Sequence, residues 1–123
     1  MTPPKKLVLL IEDDKEIRET LCDLLTDEGF NIASAENGLK ALQFLRTEFV
    51  LPSIILLDIS MPVMGGFEFR KFQLKEEKLA RIPTIMLSAD ANMKDKAAEV
   101  GVTQFMRKPI ELNELLATLK QYT

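Results

Sequence analysis

The chain alternates short, unbroken apolar runs with longer stretches in which apolar residues recur every three or four positions. Leu7-Val8-Leu9-Leu10-Ile11 and Ile54-Ile55-Leu56-Leu57 have the continuous pattern of strands buried on both faces. Pro83-Thr84-Ile85-Met86-Leu87 is a similar run, and Phe30 to Ala35 and Thr103 to Arg107 are weaker ones. Between these runs the spacing is helical. Ile17, Leu21, Leu24 and Leu25 predict an amphipathic helix from Lys15 to about Glu28, capped by Asp14 and ended by Gly29. Asn37-Gly38 turns the chain into a second helix, whose expected buried face is Leu39, Leu42, Phe44 and Leu45, and Pro52 separates it from the next strand. After Gly65-Gly66, the residues Phe67, Phe69, Phe72 and Leu74 mark a third helix. It fades in the charged run Lys75-Glu76-Glu77-Lys78, read as a solvated helix end or loop. A fourth helix, poor in large apolar residues, is expected from about Asn92 to Val100, closed by Gly101. The fifth runs from about Glu111 to Gln121 with Leu112, Leu115, Leu116 and Leu119 inward, and Met1 to Pro4 reads as a frayed lead-in.

Five strands alternating with five helices imply right-handed crossovers and a parallel sheet covered on both faces, an α/β doubly wound fold. Without repeats, linkers or low-complexity segments, residues 1–123 are expected to form a single domain. A net charge of −3 offers no footprint for nucleic acid or an anionic membrane. No stretch is long enough to span a bilayer. The apolar run after Lys5-Lys6 is too short for a signal peptide and ends in Glu12-Asp13-Asp14. One cysteine, Cys22, cannot form an internal disulfide, so a reducing, cytoplasmic location is the default, with the thiol as packing. The chain has no histidine, which removes the usual general base, zinc ligand and phosphohistidine carrier.

The residues with chemical potential stand just past strand ends: Glu12 and Asp13 after the first, Asp58 after the third, Ser88 after the fourth and Lys108 after the fifth. Each alone has an ordinary reading. Asp58 and Ser88 are common helix caps, and Lys108 could be a surface ion pair. Together they share one edge of the sheet. In the doubly wound order 2-1-3-4-5 the direction reverses between the first and third strands, opening a crevice there. That places Glu12, Asp13 and Asp58 around one pocket, with Ser88 and Lys108 on the opposite rim. Close carboxylates repel, and a hard divalent cation with oxygen ligands, such as Mg²⁺, relieves this. Mg²⁺ and Lys108 could together neutralise a transferring phosphoryl group, a carboxylate can accept phosphate covalently, and Ser88 can donate to a phosphoryl oxygen.

These residues resemble the receiver (response-regulator) domains of two-component signalling over Leu7 to Leu119. The matching motifs are Leu10-Ile11-Glu12-Asp13-Asp14, Leu57-Asp58-Ile59-Ser60-Met61-Pro62, Leu87-Ser88-Ala89 and Phe105-Met106-Arg107-Lys108-Pro109. The flavodoxin-like strand order is part of that resemblance and not independent of it. The resemblance implies that Asp58 accepts a phosphoryl group from a histidine on a partner kinase or phosphotransfer protein. It implies Mg²⁺ held by Asp13, Asp58 and the backbone carbonyl of Ser60, with Glu12 acting through a water. Lys108 would contact a phosphoryl oxygen, with Pro109 in a cis peptide bond. Ser88 would be the switch hydroxyl and Phe105 the aromatic that follows it, altering the surface of the fourth helix, fifth strand and fifth helix for a downstream protein. Such a domain is not an enzyme, beyond self-phosphorylation from small donors and slow autodephosphorylation. A monomer or weak dimer is expected, without direct nucleic-acid or membrane binding. The start Met1-Thr2-Pro3-Pro4 favours a stand-alone or amino-terminal receiver.

Three departures from the commonest pattern stand out. Gly65 replaces an Asp that often precedes the glycine, so a loop hydrogen bond or cap is lost. Ser60 occupies the variable position beside the acceptor, and Phe105 lacks the hydroxyl of a tyrosine found in some relatives. Competing readings fare worse. A haloacid-dehalogenase-type phosphohydrolase would carry a second Asp where Ser60 stands, and a flavodoxin-like electron carrier would not place Glu12-Asp13-Asp14 against an FMN phosphate. A degenerate docking module would have lost a site residue.

Overall fold

Successive strand residues point to opposite faces, so wholly apolar strands need cover on both sides. The computed structural model, which describes residues 6–47 and 50–123, supplies that cover. The strands are β1 (Leu7–Ile11), β2 (Asn31–Ala35), β3 (Ile54–Asp58), β4 (Thr84–Ser88) and β5 (Gln104–Arg107). They form one sheet in the order β2-β1-β3-β4-β5 with every neighbouring pair parallel. The helices are α1 (Lys15–Asp27), α2 (Gly38–Thr47), α3 (Gly66–Lys75), α4 (Glu77–Ala80), α5 (Lys94–Glu99) and α6 (Leu112–Tyr122). The expected lead-in Met1 to Pro4 lies outside the described residues.

The core divides by strand parity. Leu9, Ile11, Ile55, Leu57 and Met86 pack with Leu42, Leu45, Phe69 and Ala97, so α2, α3 and α5 cover one face. Val8, Leu10, Ile54, Leu56, Ile85 and Leu87 pack with Leu25, Leu115, Leu116 and Leu119, so α1 and α6 cover the other. Ile54 to Leu57 are all completely buried. At about 1.5–3 kcal/mol for each buried aliphatic side chain, this strand is among the most strongly held parts of the molecule. The register pairs Ile11 with Leu57 and Asp58 with Leu87, which brings the strand ends level at the carboxyl edge.

Five apolar residues expected on buried faces lie outside: Ile17 and Leu24 on α1, Leu39 on α2, and Phe72 and Leu74 on α3 are each 38% to 44% exposed. In α2 and α3 the cause is helical phase. The buried stripe of α2 is Gly38, Ala41, Leu42 and Leu45, and that of α3 is Gly66, Phe69, Arg70 and Gln73. In α3 two polar side chains take core positions because Thr84 and the Val100 and Gly101 carbonyls offer partners there. The charged run after Leu74 is also more ordered than expected, since α4 forms within it and buries Leu79. The fourth and fifth expected helices are α5, preceded by a single 3₁₀ turn at Ala91–Met93, and α6.

Candidate functional site

The site is assembled by strand ends and braced by backbone. The Glu12 N–H donates to Ala35 O at 3.1 Å, extending the β1–β2 ladder by one residue and burying the Glu12 side chain. Asp14 caps α1, its Oδ1 accepting from the Ile17 N–H at 3.0 Å. Arg18, one turn into α1, donates Nη1 to the carbonyls of Glu12 at 2.8 Å and Asp13 at 3.3 Å. This brace fixes the acidic turn and was not evident from sequence, because nothing local distinguishes Arg18 from a solvated helix residue. Asp58 closes β3, is 5% exposed, and the Ile59 N–H that follows donates to Leu87 O at 3.2 Å. The Lys108 N–H donates to Ser88 O at 2.8 Å, holding the fourth and fifth strand ends together, and the Lys108-Pro109 peptide is cis.

Lys108 joins the two sides of the crevice. Its Nζ donates to Glu12 Oε1 at 2.7 Å and lies 3.2 Å from Asp58 Oδ1. Oxygens of Glu12, Asp13 and Asp58 all fall within 4.8 Å of one another. Burial and the neighbouring Glu12 push the Asp58 carboxyl up to about 7, against the opposing pull of Lys108. Burial works to lower Lys108, but its bonds to Glu12 and Asp58 outweigh that and hold its ammonium above the ordinary value. Six expected residues (Glu12, Asp13, Asp58, Ser60, Ser88 and Lys108) line one cleft of about 340 Å³. A larger depression of about 670 Å³, between Arg46 and Glu76 to Leu79, gathers no such carboxylate cluster, so chemistry and not volume identifies the site. Crowded, partly buried carboxylates on one side of an open cleft suit a hard dication in both charge and donor type.

The loop after β3 is held at both ends. The Gly66 N–H donates to Ile59 O at 2.8 Å and the Gly38 N–H to Met64 O at 3.0 Å, with Met64 buried in the core. A Cβ on Gly66 would stand 2.5 Å from Asp58 O, so only glycine lets α3 start this close to the end of β3. Between these anchors Val63 adopts φ +68°, and the Met64 N–H reaches back to Pro62 O at 2.7 Å. Gly65 begins α3 without a side-chain cap bond, as its missing Asp implied. Ser88 Oγ accepts from the Asp90 N–H at 3.0 Å. Phe105 is half-buried and stands apart from the cleft, lining a depression beside α5 with Lys94, Ala98 and Val102. Burial pushes the Cys22 thiol up, in keeping with packing and not reactivity.

Residues 8–120 match the model of the response regulator receiver domain. The Transcriptional regulatory protein CpxR homolog of Haemophilus influenzae is 39% identical over 116 residues, covering 92% of this chain and 48% of that protein. The chain thus spans about half the length of the curated relatives it matches first. Chemotaxis protein CheY4 of Vibrio cholerae superposes with a TM-score of 0.86 at 30% identity, covering 98% of this chain and all of that one. The signal receiver domain of a signal transduction histidine kinase from Syntrophus aciditrophicus gives a TM-score of 0.85 at 27% identity, covering 95% and 89% of the two chains.

Proposed function

Because the chain belongs to the response regulator receiver domain family of two-component signalling, we propose that Asp58 is its phosphoacceptor and that residues 1–123 act as one receiver unit. The observation that carries this reading is the placement of Asp58. Its carboxyl ends a wholly buried strand, 3.2 Å from Lys108 Nζ and within ligating reach of Glu12 and Asp13. An Asp58 oxygen attacks the phosphorus of a phosphohistidine on a kinase or phosphotransfer partner; the O–P bond forms as the P–N bond breaks, and the imidazole nitrogen keeps the electron pair. Residues 1–123 contain no histidine, so the donor lies outside them. Asp13, Asp58 and the Ser60 carbonyl would hold Mg²⁺, with Glu12 acting through a water. When bound, such an ion spreads the charge of the transferring group.

The chain's own groups do the rest. The rigid β3 end orients the nucleophile, and Lys108 turns its ammonium from the carboxylates toward the new phosphoryl oxygens. Ser88 donates its hydroxyl to one of those oxygens and withdraws from the Asp90 N–H it now accepts from. Phe105 follows, changing the α5–β5–α6 surface offered to a downstream protein. Receiver domains are signalling phosphoacceptors, so the proposal includes no turnover beyond acceptance from small donors and slow loss of the protein's own phosphate. A cytoplasmic site of action fits these partners, and among the described residues no helix is long and apolar enough to cross a membrane. The test is Mg²⁺-dependent labelling by a small phosphodonor. Parent protein should take up one phosphoryl group and Asp58→Asn essentially none; equal labelling of the two would overturn the assignment.

A further inference from the structure

Helix α5 buries only Ala97 among its six residues, so its position depends on how its ends are held. The two ends are held differently. At the carboxyl end the Arg70 guanidinium, from α3, donates Nε to Val100 O at 3.0 Å and Nη2 to Gly101 O at 2.9 Å. Its remaining edge donates Nη1 to Gln73 Oε1 at 2.9 Å and Thr84 Oγ1 at 3.2 Å. Arg70 is 5% exposed and all four of these bonds go to neutral oxygens. Burying a guanidinium this way is costly, and simple core filling is better served by a residue such as neighbouring Phe69. What the cation gains is the negative end of α5, whose last carbonyls have no partner within the helix.

At the amino end lies the Ala91–Met93 turn, which has no fully buried residue and only Met93 partly buried against the core. That turn is tied to the cleft through Asp90, whose N–H donates to Ser88 Oγ at 3.0 Å and whose Oδ1 accepts from the Asn92 N–H at 2.9 Å. One end of α5 is therefore clamped to α3 and β4, while the other is latched to the hydroxyl proposed to move. We propose that Arg70 is a positioning residue for the output response: by pinning the carboxyl end of α5, it turns displacement begun at Ser88 into a pivot about Val100-Gly101. The inference rests on phosphorylation of Asp58 as proposed above.

The test is amide hydrogen exchange before and after phosphorylation by a small donor with Mg²⁺, with intact mass confirming the added phosphoryl group. The amides of Val100, Gly101, Val102 and Thr103 all donate within the protein, to Ala97, Ala98, Ala97 and Thr84 carbonyls, so their protection reports the clamp. In the parent, phosphorylation should change exchange at residues 89–94 and leave Val100 to Thr103 within about twofold. Arg70→Met should speed exchange at Val100 to Thr103 by about tenfold or more even before phosphorylation, as expected for lost bonds to a charged donor. Its phosphorylation response should spread through Val102 and Thr103. Thr84→Val supplies the control, since it removes a buried acceptor from the same cluster but leaves both α5 carbonyl contacts; it should lower stability and keep the parent's map. If Arg70→Met does not fold, Arg70→Lys keeps a cation that cannot serve two carbonyls as a fork, and it should spread the response likewise. A parent response equally strong at Val100 to Thr103, or Arg70 variants with the parent's map, would sink the pivot. Absence of the mass shift in the parent would instead overturn the functional reading, and the pivot with it.

Discussion

At the scale of single residues, Asp58 and Val63 both sit in states their chemistry resists. Asp58 is a carboxyl pushed from an ordinary 3.8 to about 7 by burial and by Glu12. In metal-free protein the folded state therefore holds a proton between about pH 4 and pH 7 that the unfolded chain has released. Stability must fall as pH rises through that window, the reverse of the usual salt-bridged Asp. The raised Lys108 value acts only at alkaline pH and leaves the window clear. Urea unfolding in chelator should thus show a higher midpoint at pH 5 than at pH 7.5, and Asp58→Asn should reduce that difference. Parallel pH profiles for parent and variant would refute it. Val63 is simpler. It is β-branched, 73% exposed and held at φ +68° in a three-residue turn of the strained hand. Its side chain gains little packing in return, so Val63→Gly should stabilise by about 1 kcal/mol, or about 4 °C in thermal midpoint for a domain of this size. An unchanged or lower midpoint would show the turn to be unstrained.

At the scale of elements, the approach of α3 to the end of β3 sets the site's precision. A Cβ on Gly66 would meet Asp58 O at 2.5 Å and Ile59 Cα at 2.8 Å, both backbone atoms with no rotamer to escape into. Gly66→Ala should cost about 2–3 kcal/mol and slow phosphorylation of Asp58 by shifting its carboxyl. A variant as stable and as readily labelled as the parent would mean that β3 yields freely there. The strands were legible in the sequence because a run such as Ile54 to Leu57 is buried on both faces whatever its neighbours do. The phase of α2 and α3 was not. Phe72 and Leu74 looked like core, whereas Arg70 and Gln73 fill it, and their partners lie up to 31 residues away in chain order. The candidate site was legible because its residues stand at strand ends, with the strand order supplied by the resemblance. Once the order is doubly wound, residues 96 positions apart, such as Glu12 and Lys108, must meet at one edge. What could not be read were the supports that depend on exact backbone path, namely Arg18 beneath the acidic turn and Val63 in the loop above it.

At the scale of the whole molecule, the two edges of the sheet are finished differently. At the amino edge, Thr84 and Thr103 exchange hydrogen bonds, and Arg70 and Gln73 bond into the same cluster. At the carboxyl edge, three carboxylates crowd together and only two of them, Glu12 and Asp58, pair with the Lys108 ammonium. The stability left unrealised there is available to a ligand. A cation bound only by the folded state at a hundred times its dissociation constant adds about 2.7 kcal/mol, or about 10 °C for a domain of this size. Mg²⁺ should raise the thermal midpoint accordingly, less so below pH 7 as protons compete for Asp58, and little in Asp13→Asn. Lys108→Ala separates the two cations' roles. Without the ammonium, Glu12 and Asp58 lose their only described ionic partner and the metal-free protein should be less stable. The same change removes a competitor from Glu12 Oε1 and Asp58 Oδ1, so Mg²⁺ should bind more tightly. Thermal midpoints in chelator and Mg²⁺ titrations of one variant must then move in opposite senses. If both stability and affinity fall, Lys108 is not competing with the metal but helping to build its site.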